Sequence, residues 1–286
     1  MVYCDPTMEL IEWAQVPDRV LVMGIVNVTP DSFYAGSRAP RPGDAIARAV
    51  RMADEGADIV DIGGESTRPG SRPVSAWEEA DRVLPVVEGI RRRSPVHVSI
   101  DTMKSDIAEE AISLGAGILN DVTALRHDKR MASVAAQAGA FVVLMHMQGC
   151  PETMQRAPIY SDVVEEVRSF LVQRIAAAAS AGIPEERIFI DPGIGFGKTV
   201  AHNLALLRNL GRLVEIGRPI LVGLSRKAFL GAILDLPADE RIEATIAANT
   251  AAILSGASII RVHDAKEGRR TADIAARLRH HVATHR

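Results

Sequence analysis

The stretch DIVDIGGESTR, residues 58–68, decides the fold, because a short apolar run ends there in glycines and then in polar side chains. The same pattern occurs eight times along the chain. The runs and the polar residues that follow them are LVMGIV with Asn27, DIVDIG with Glu65, VHVSI with Asp101, AGIL with Asn120, FVVLM with His146, RIFI with Asp191, PILVG with Ser225 and SII with Arg261. Continuous apolar runs are typical of parallel strands, which are buried on both faces.

Helical periodicity fills the stretches between the runs. Apolar residues recur at helical spacing at Ile46, Ala49, Val50 and Ala53, and again at Val163, Val164, Val167, Phe170 and Leu171. Alternating strands and helices predict βαβ units, and eight of them predict a single (β/α)8 TIM barrel. The alternative is a doubly wound open sheet, which the count of eight and the lack of an early GxGxxG motif disfavour. In a barrel, the polar residues after the strands would all lie at one mouth.

The chain divides into two parts. We expect residues 1–19 to form an N-terminal extension, a hairpin at the barrel bottom, and residues 20–286 to form the barrel domain. Long loops rich in glycine and proline follow the first and second runs. Loops of that length are often functional lids.

Composition limits the classes of function. The 286 residues are 47% hydrophobic, carry a net charge of −3 and show no basic stripe, so we expect no nucleic-acid partner. Cys4 and Cys150 are far apart and form no CxxC pair, which indicates a reducing cytoplasm. No apolar run approaches the roughly 20 residues that span a bilayer, and no secretory signal is visible. We therefore expect a soluble cytoplasmic protein.

Cationic and hydroxyl side chains follow three of the runs, in residues 67–70, 225–227 and 261–263. Together they would concentrate positive charge at the mouth, which predicts a phosphate or pyrophosphate there. Ser225 could also cap the next helix. The alternative is that the arginines pair with carboxylates of the protein.

Two acids and an amide indicate a second kind of ligand. Asp101 and Asp191 come directly after strands, where a carboxylate is partly desolvated and needs partners. With Asn120 they could bind the N–H donors of a flat amino-heterocycle such as a 2-aminopyrimidinone. Alternatively, Asp101 caps the next helix. Asp61 lies inside its run, and we expect it to serve the barrel structurally.

The glycine-rich segment DPGIGFGK, residues 191–198, resembles a P-loop only weakly. Its glycines would let the backbone approach a ligand, with Phe196 as a wall. Lys227 could form a Schiff base or act as a hydrogen-bond donor. His146 and His263 lack the spacing of a metal site made by protein ligands alone.

Taken together, the motifs carry a family resemblance. They are MGIVNVTPDSF, DIGGESTRPGS, SIDT, the pair Asn120-Asp121, LMHMQGCPETMQ, DPGIGFGK, GLSRK and IIRVHD. In order and spacing they resemble the segments of dihydropteroate synthase, from about Val20 to Ala265. The resemblance implies a homodimeric TIM barrel that condenses 6-hydroxymethyl-7,8-dihydropterin pyrophosphate with p-aminobenzoate, giving dihydropteroate and pyrophosphate by an SN1-like course with Mg²⁺.

The resemblance also implies residue roles. The pterin would contact Asp101, Asn120, Asp191, Lys227, Met145 and Phe196. The pyrophosphate would contact Asn27, Arg261 and His263, with Asn27 at the Mg²⁺. The p-aminobenzoate would contact Phe33, Thr67, Arg68, Pro69 and Ser225. The catalytic set would be Asp101, Asp191, Lys227, Arg261 and His263.

One segment departs from the family pattern. The first loop commonly reads DSFSDGG, whereas this chain has Tyr34 and Ala35 after Asp31-Ser32-Phe33. We expect the change to affect the p-aminobenzoate pocket and sulfonamide sensitivity. Two other functions are considered: a catalytically silent pterin-binding paralogue, and a methyltetrahydrofolate:corrinoid methyltransferase, which would not need the cationic groups. The dimer contact is expected at the helix of residues 242–255.

Overall fold

Each strand of the described chain is followed by one or two helices. The computed structural model describes residues 19–29, 41–67, 71 and 73–283, with the backbone alone for 280–283. The strands are β1 (Leu21–Asn27), β2 (Ile59–Gly63), β3 (His97–Asp101), β4 (Ile118–Asp121), β5 (Phe141–Met145), β6 (Ile188–Asp191), β7 (Leu221–Gly223) and β8 (Ile259–Val262). The helices are α1 (Pro42–Asp54), α2 (Ala76–Arg91), α3 (Ser105–Ser113), α4 (Met131–Ala138), α5 (Val163–Ser180), α6 (Val200–Arg208), α7 (Gly211–Val214), α8 (Ala228–Leu234), α9 (Ile242–Leu254) and α10 (Ala265–Ala283).

The strands form one parallel sheet that curls into a barrel. Their order is β6-β5-β4-β3-β2-β1-β8-β7, and every pair is parallel. The two ends of this order meet through a parallel bridge between Ile190 and Ile220. The predicted (β/α)8 barrel is therefore confirmed, and the open doubly wound sheet is wrong.

Alternation along each strand separates an outer core from an inner one. Val22, Val60 and Ile260 belong to the core that packs under the helices. Their neighbours in sequence fill the barrel with the inner cluster, namely Leu21, Met23, Ile59, Ile118, Phe141, Val143, Phe189, Leu221 and Ile259. Two residues further along four of the strands, the side chains are polar: Asp61, Asn120, Asp191 and Arg261. An apolar plug thus supports a polar mouth.

Helix ends follow the local sequence. Ser75 caps α2 by accepting a hydrogen bond from Glu78 N at 3.1 Å, and Asp162 caps α5. The sequence predicts a final helix from about Ala272 to Val282, whereas α10 begins at Ala265. Gly268 explains the longer helix, because a Cβ there would lie 2.8 Å from Val262. The glycine lets the first turns of α10 lie directly on the strands.

Several sequence-based predictions fall outside the described residues. They are the hairpin of residues 1–19, of which the structure describes only Arg19, and the first loop with Phe33, Tyr34 and Ala35. The division into an extension and a barrel domain stays a prediction. Among the described helices, none has both the length and the apolar composition needed to cross a membrane.

Candidate active site

One side of the polar mouth of the barrel is built from inward-facing positions of β2, β3, β4 and β8. Asp61 of β2 lies two residues beyond Ile59 of the apolar plug, and Arg261 of β8 lies two residues beyond Ile259. Asp101 ends β3 and pairs in register with Asn120 of β4. Because side chains alternate along strands, all four face the barrel interior above the plug.

Arg261 is the hub of this group. Its Nε donates to Asp61 Oδ2 at 2.6 Å, and its Nη2 donates to Asp101 Oδ2 at 2.7 Å. Asn120 Nδ2 donates to the same Asp61 oxygen at 3.0 Å. The other oxygen of Asp61 is buried and has no hydrogen-bond partner within the described part of the chain. One fully buried carboxylate thus holds both the arginine and the amide.

Burial dominates the protonation of these groups. It raises the pKa of Asp101 to about 7, although Arg261 opposes the shift, and Asp61 adds to it. Burial also acts to lower the pKa of Arg261, but attraction by Asp61 and Asp101 outweighs it, so the net shift is upward. The arginine is a permanent cation, whereas Asp101 can exchange its proton near neutral pH.

Lys227 and Asp191 form the opposite side of the mouth. Lys227 Nζ donates to Ile194 O and lies 4.8 Å from the centre of the Phe196 ring. Burial lowers the pKa of Lys227 to about 8, and Asp191 opposes the shift. Asp191 ends β6 and accepts a hydrogen bond from Gly193 N at 2.7 Å. Burial raises the pKa of Asp191, while the Lys227 charge opposes that increase.

A small apolar cluster lines the mouth beside these polar groups. Met145 ends β5 and is buried with Val122, Met147 and Met154, and Phe196 packs against this cluster. Polarisable methionines beside an aromatic ring suit a flat ligand. Met145 and Phe196, which the sequence predicts to line one pocket, thus belong to the same apolar wall.

Ser225 and His263 lie together after β7 and β8. Ser225 Oγ accepts a hydrogen bond from His263 N at 3.1 Å and lies 3.0 Å from His263 Nδ1. The prediction that Ser225 caps the next helix is wrong, because Lys227 is the N-cap residue of α8. The hydroxyl instead joins the ends of two adjacent strands.

The arginines that follow β7 and β8 are paired with carboxylates of the protein. Arg226 is paired with Asp264 at 2.9 and 3.2 Å and donates to the carbonyls of Ala238 and Asp239. Arg261 is paired with Asp61 and Asp101. The alternative reading, in which the arginines pair with carboxylates of the protein, thus holds for Arg226 and Arg261, and the phosphate at the mouth stays a prediction. Capping by Asp101 is also wrong, since Lys104 is the N-cap residue of α3.

The remaining predicted residues lie on the loops. Asn27 ends β1 and pairs in register with Gly63. Thr67 follows β2 and is half-buried. Phe33, Arg68 and Pro69 lie outside the described residues. Sequence reasoning missed three arrangements: buried Asp61 as the acceptor for both Arg261 and Asn120, buried Lys198 beside His146, and half-buried Lys104 between Glu65 and Glu79. For Asp61, the signal was a carboxylate inside an otherwise apolar strand.

The described residues contain no group of three or more His, Cys, Asp or Glu side chains placed to hold a metal ion. Mg²⁺ does not require such a group, because it keeps several waters and binds through one or two protein oxygens plus substrate phosphates. The amide oxygen of Asn27, at the carboxyl end of β1, is a ligand of that kind. The donor set fits a magnesium ion that arrives with a diphosphate.

Comparisons with known proteins agree with this geometry. A sequence family described as "Pterin binding enzyme" matches residues 23–263. Dihydropteroate synthase of Escherichia coli K12 is 46% identical over 246 residues, which cover 86% of this chain and 87% of the relative. The Yersinia pestis dihydropteroate synthase, solved with a sulfonamide drug, has a TM-score of 0.89 at 42% identity and covers 93% of this chain and 96% of its own.

A third relative was solved with the reaction product. The Xanthomonas albilineans dihydropteroate synthase in complex with 7,8-dihydropteroate has a TM-score of 0.82 at 42% identity, covering 92% of this chain and 95% of its own. Fold and site thus define a pterin-binding barrel enzyme. The chain belongs to the dihydropteroate synthase family. It is a transferase, and these relatives support the synthase over the corrinoid methyltransferase.

Proposed function

We propose that this chain condenses 6-hydroxymethyl-7,8-dihydropterin pyrophosphate with p-aminobenzoate to give 7,8-dihydropteroate and pyrophosphate. The observation that carries the proposal is the meeting of Asp101, Asp191, Lys227 and Arg261 at one barrel mouth, beside an apolar wall. The relatives named above bear the same activity in their names and include one holding 7,8-dihydropteroate.

The pterin is held by hydrogen bonds at its edge and by apolar contact on its face. Asp101 and Asp191 accept from its ring N–H and amino groups, and Asn120 contributes an amide. Lys227 donates to a ring acceptor after leaving Ile194 O. Met145 and Phe196 pack against the ring. The burial of Asp101 and Asp191 supports this assignment, because a hydrogen bond to a buried carboxylate is stronger than one to a carboxylate in water.

The leaving diphosphate faces the cationic side of the mouth. Arg261 and His263 donate to its oxygens, and Ser225 keeps His263 in place through the contacts described above. Asn27 would hold Mg²⁺, which supplies charge neutralisation to the diphosphate when bound. The p-aminobenzoate would bind beside the diphosphate, in contact with Phe33, Thr67, Arg68, Pro69 and Ser225.

The reaction follows an SN1-like course. The bond between the pterin methylene carbon and the diphosphate oxygen breaks, and its electron pair leaves with the diphosphate. The ionised Asp101 and Asp191 stabilise the delocalised pterin cation that remains. The amine nitrogen of p-aminobenzoate then forms the new C–N bond and releases one proton. No activated nucleophile of the protein is needed.

A turnover assay tests the proposal. Wild-type chain with pterin pyrophosphate, p-aminobenzoate and Mg²⁺ should form dihydropteroate and pyrophosphate in equal amounts. Asp191→Asn should lose at least about a hundredfold in kcat/KM, because it removes a buried charge that stabilises the cation. Asp128→Asn makes the same chemical change at a residue that accepts a hydrogen bond from Ser105 N on the helical side of the fold, and this variant should keep its activity. Pterin binding by the wild type without product would contradict the proposal and identify a silent paralogue.

We further propose a cytoplasmic homodimer whose contact includes α9 and its neighbours. Ile274 and Leu278 lie one turn apart on α10 and are more than half exposed, and Leu254 ends α9 half-exposed. Apolar side chains clustered on adjacent exposed helices are typical of subunit contacts. Light scattering should give twice the mass of one chain, and Ile274→Asp should halve it. A wild-type monomer would contradict this.

A further inference from the structure

The glycine-rich loop of residues 193–197 is held by side chains at every backbone carbonyl. Lys198 Nζ donates to Gly193 O at 2.9 Å and to Phe196 O at 3.0 Å. The other three carbonyls accept hydrogen bonds from Lys227 (on Ile194), Gln155 (on Gly195) and Tyr160 (on Gly197). Irregular backbone of this kind has no ladder partners of its own, so these donors decide its shape.

Lys198 differs from the other donors because its ammonium is buried. The residue is 3% exposed, and no carboxylate accepts a hydrogen bond from it within the described residues. Its third close partner is His146 Nδ1 at 2.9 Å, and His146 O lies further away at 3.4 Å. Three N–H donors therefore meet three close acceptors. No other side chain supplies three donors from one atom.

His146 is suited to this contact as an acceptor. Burial lowers its pKa to about 3, with the Lys198 charge acting in the same direction, so the ring is neutral at neutral pH. Its Nδ1 then carries a lone pair toward the ammonium, and the ring proton sits on Nε2. Burial lowers the pKa of Lys198 to about 7, and the Asp191 charge opposes that shift. The pair joins the segment after β5 to the segment after β6.

The two segments are pressed together at the same place. Gly193 has φ +65°, and a Cβ there would lie 1.8 Å from His146 O. The carbonyl groups of His146, Gly193 and Phe196 therefore surround a small space, which the ammonium of Lys198 occupies. A neutral apolar side chain in place of Lys198 would leave these carbonyls buried without a partner.

We propose that Lys198 is a positioning residue, which pins residues 193–197 to the segment after β5 and so places Phe196 and Ile194 at the pterin site. Phe196 packs against the Met145 cluster, and Ile194 O accepts from Lys227. Lys198 itself acts behind the wall and does not contact the pterin. This inference rests on the proposed function only for the identity of the ligand.

The experiment uses Lys198→Met, which keeps the length and removes the donors. Protein labelled with 4-fluorophenylalanine is measured by ¹⁹F NMR without ligand, and the Phe196 signal is assigned with Phe196→Leu. We expect the Phe196 signal to shift or broaden, while Phe141 and Phe189, stacked at the barrel bottom, keep theirs. Lys266→Met on the surface of α10 is the matched control and should leave all signals in place.

Binding is measured on the same samples by calorimetry with 6-hydroxymethylpterin. The dissociation constant should rise about tenfold or more in Lys198→Met, as expected when a charged donor is lost behind a binding wall. In turnover, KM for pterin pyrophosphate should rise with a smaller change in kcat. The fluorine spectra need no turnover, so they remain informative where the chain makes no dihydropteroate.

An unchanged Phe196 signal, or wild-type affinity for the pterin, would overturn the proposal. If the Met variant does not fold, Lys198→Gln, which keeps two N–H donors, is judged by the same criteria. Loss of folding in both variants also counts against the proposal, because it would assign Lys198 to the stability of the barrel and not to the loop.

Discussion

Arg261 donates to Asp101 across the barrel mouth, with 2.7 Å between Nη2 and Oδ2, while its Nε is held by Asp61 at 2.6 Å. The cation that we assign to the diphosphate thus donates a hydrogen bond to the carboxylate that we assign to the pterin. A pterin that takes Oδ2 of Asp101 would displace Arg261 from that oxygen. Asp61 keeps the arginine in the site during that exchange, because it is the second carboxylate in reach.

Asp61→Asn should therefore weaken pterin binding. Once the pterin takes Asp101, Arg261 would be a buried cation without a carboxylate, and breaking such a pair is costly. We expect a ten- to hundredfold higher dissociation constant for 6-hydroxymethylpterin, roughly the cost of one charged hydrogen bond. The dissociation constant of the pterin pyrophosphate should rise less, because its diphosphate supplies the missing negative charge to Arg261.

The control for Asp61 is its neighbour in register. Ser99 is fully buried, and its hydroxyl has no partner within the described residues. Ser99→Ala should leave pterin binding unchanged. Calorimetry measures both ligands on each variant. If Asp61→Asn weakened the binding of 6-hydroxymethylpterin and of its pyrophosphate equally, that result would contradict the role of Asp61 in holding Arg261 when the pterin takes Asp101.

Acidic pH should weaken pterin binding through Asp101. The ionised carboxylate accepts the pterin N–H groups, and its pKa in the ligand-free protein is raised to about 7. Below that pH the proton must leave before the pterin binds, so affinity should fall about tenfold per pH unit between pH 7 and 5. Calorimetry at pH 6 in two buffers of different ionisation enthalpy should detect proton release. Proton uptake, or a flat profile, would contradict the assignment.

Lys227→Met should reduce pterin affinity about tenfold or more, because it removes a charged hydrogen-bond donor from a buried site. The change also removes the Lys227 charge, which opposes the rise in the pKa of Asp191. Fluorescence or calorimetric titration with 6-hydroxymethylpterin measures the effect, and Lys266→Met is the surface control. Undiminished binding would exclude Lys227 from the pterin site.

Gly193→Ala should destabilise the protein. Its φ of +65° strains any L side chain, and the added Cβ would meet backbone at 1.8 Å. We expect a loss of at least about 2 kcal/mol in the free energy of unfolding, measured with urea. Gly117→Ala is the matched control, because its Cβ would have no atom within 4 Å. Similar unfolding curves for both variants would contradict the close approach of the two segments.

Removal of divalent cations should stop turnover. We expect EDTA to abolish dihydropteroate formation and Mg²⁺ to restore it, because the leaving diphosphate then lacks its counter-charge. Asn27→Ala should raise the Mg²⁺ concentration needed for half-maximal rate, whereas Asn209→Ala, an exposed residue after α6, should not. Full activity in EDTA would contradict the magnesium site.

The barrel and much of its mouth followed from local sequence. A buried parallel strand reads as an apolar run, and the residues after each run reach the same mouth, so Asp101, Asn120, Asp191 and Arg261 could be selected without a structure. Features that depend on contacts between distant residues could not be predicted in this way. The first turns of α10 were missed, because Gly268 is required there by its close contact with Val262, a contact made only in the folded structure.

The sequence did not predict which charged side chains would pair with each other. Asp61 and Arg261 are 200 residues apart, and His146 and Lys198 are 52 apart. Periodic burial is encoded within a few residues, so the sequence alone was enough for the strands, the helices and the polar mouth. Which cation meets which carboxylate depends on strand register and on closure of the barrel. Asp61 of β2 and Arg261 of β8 are separated by β1 in the sheet, so it is the inward curvature of the barrel that brings their side chains within hydrogen-bond distance.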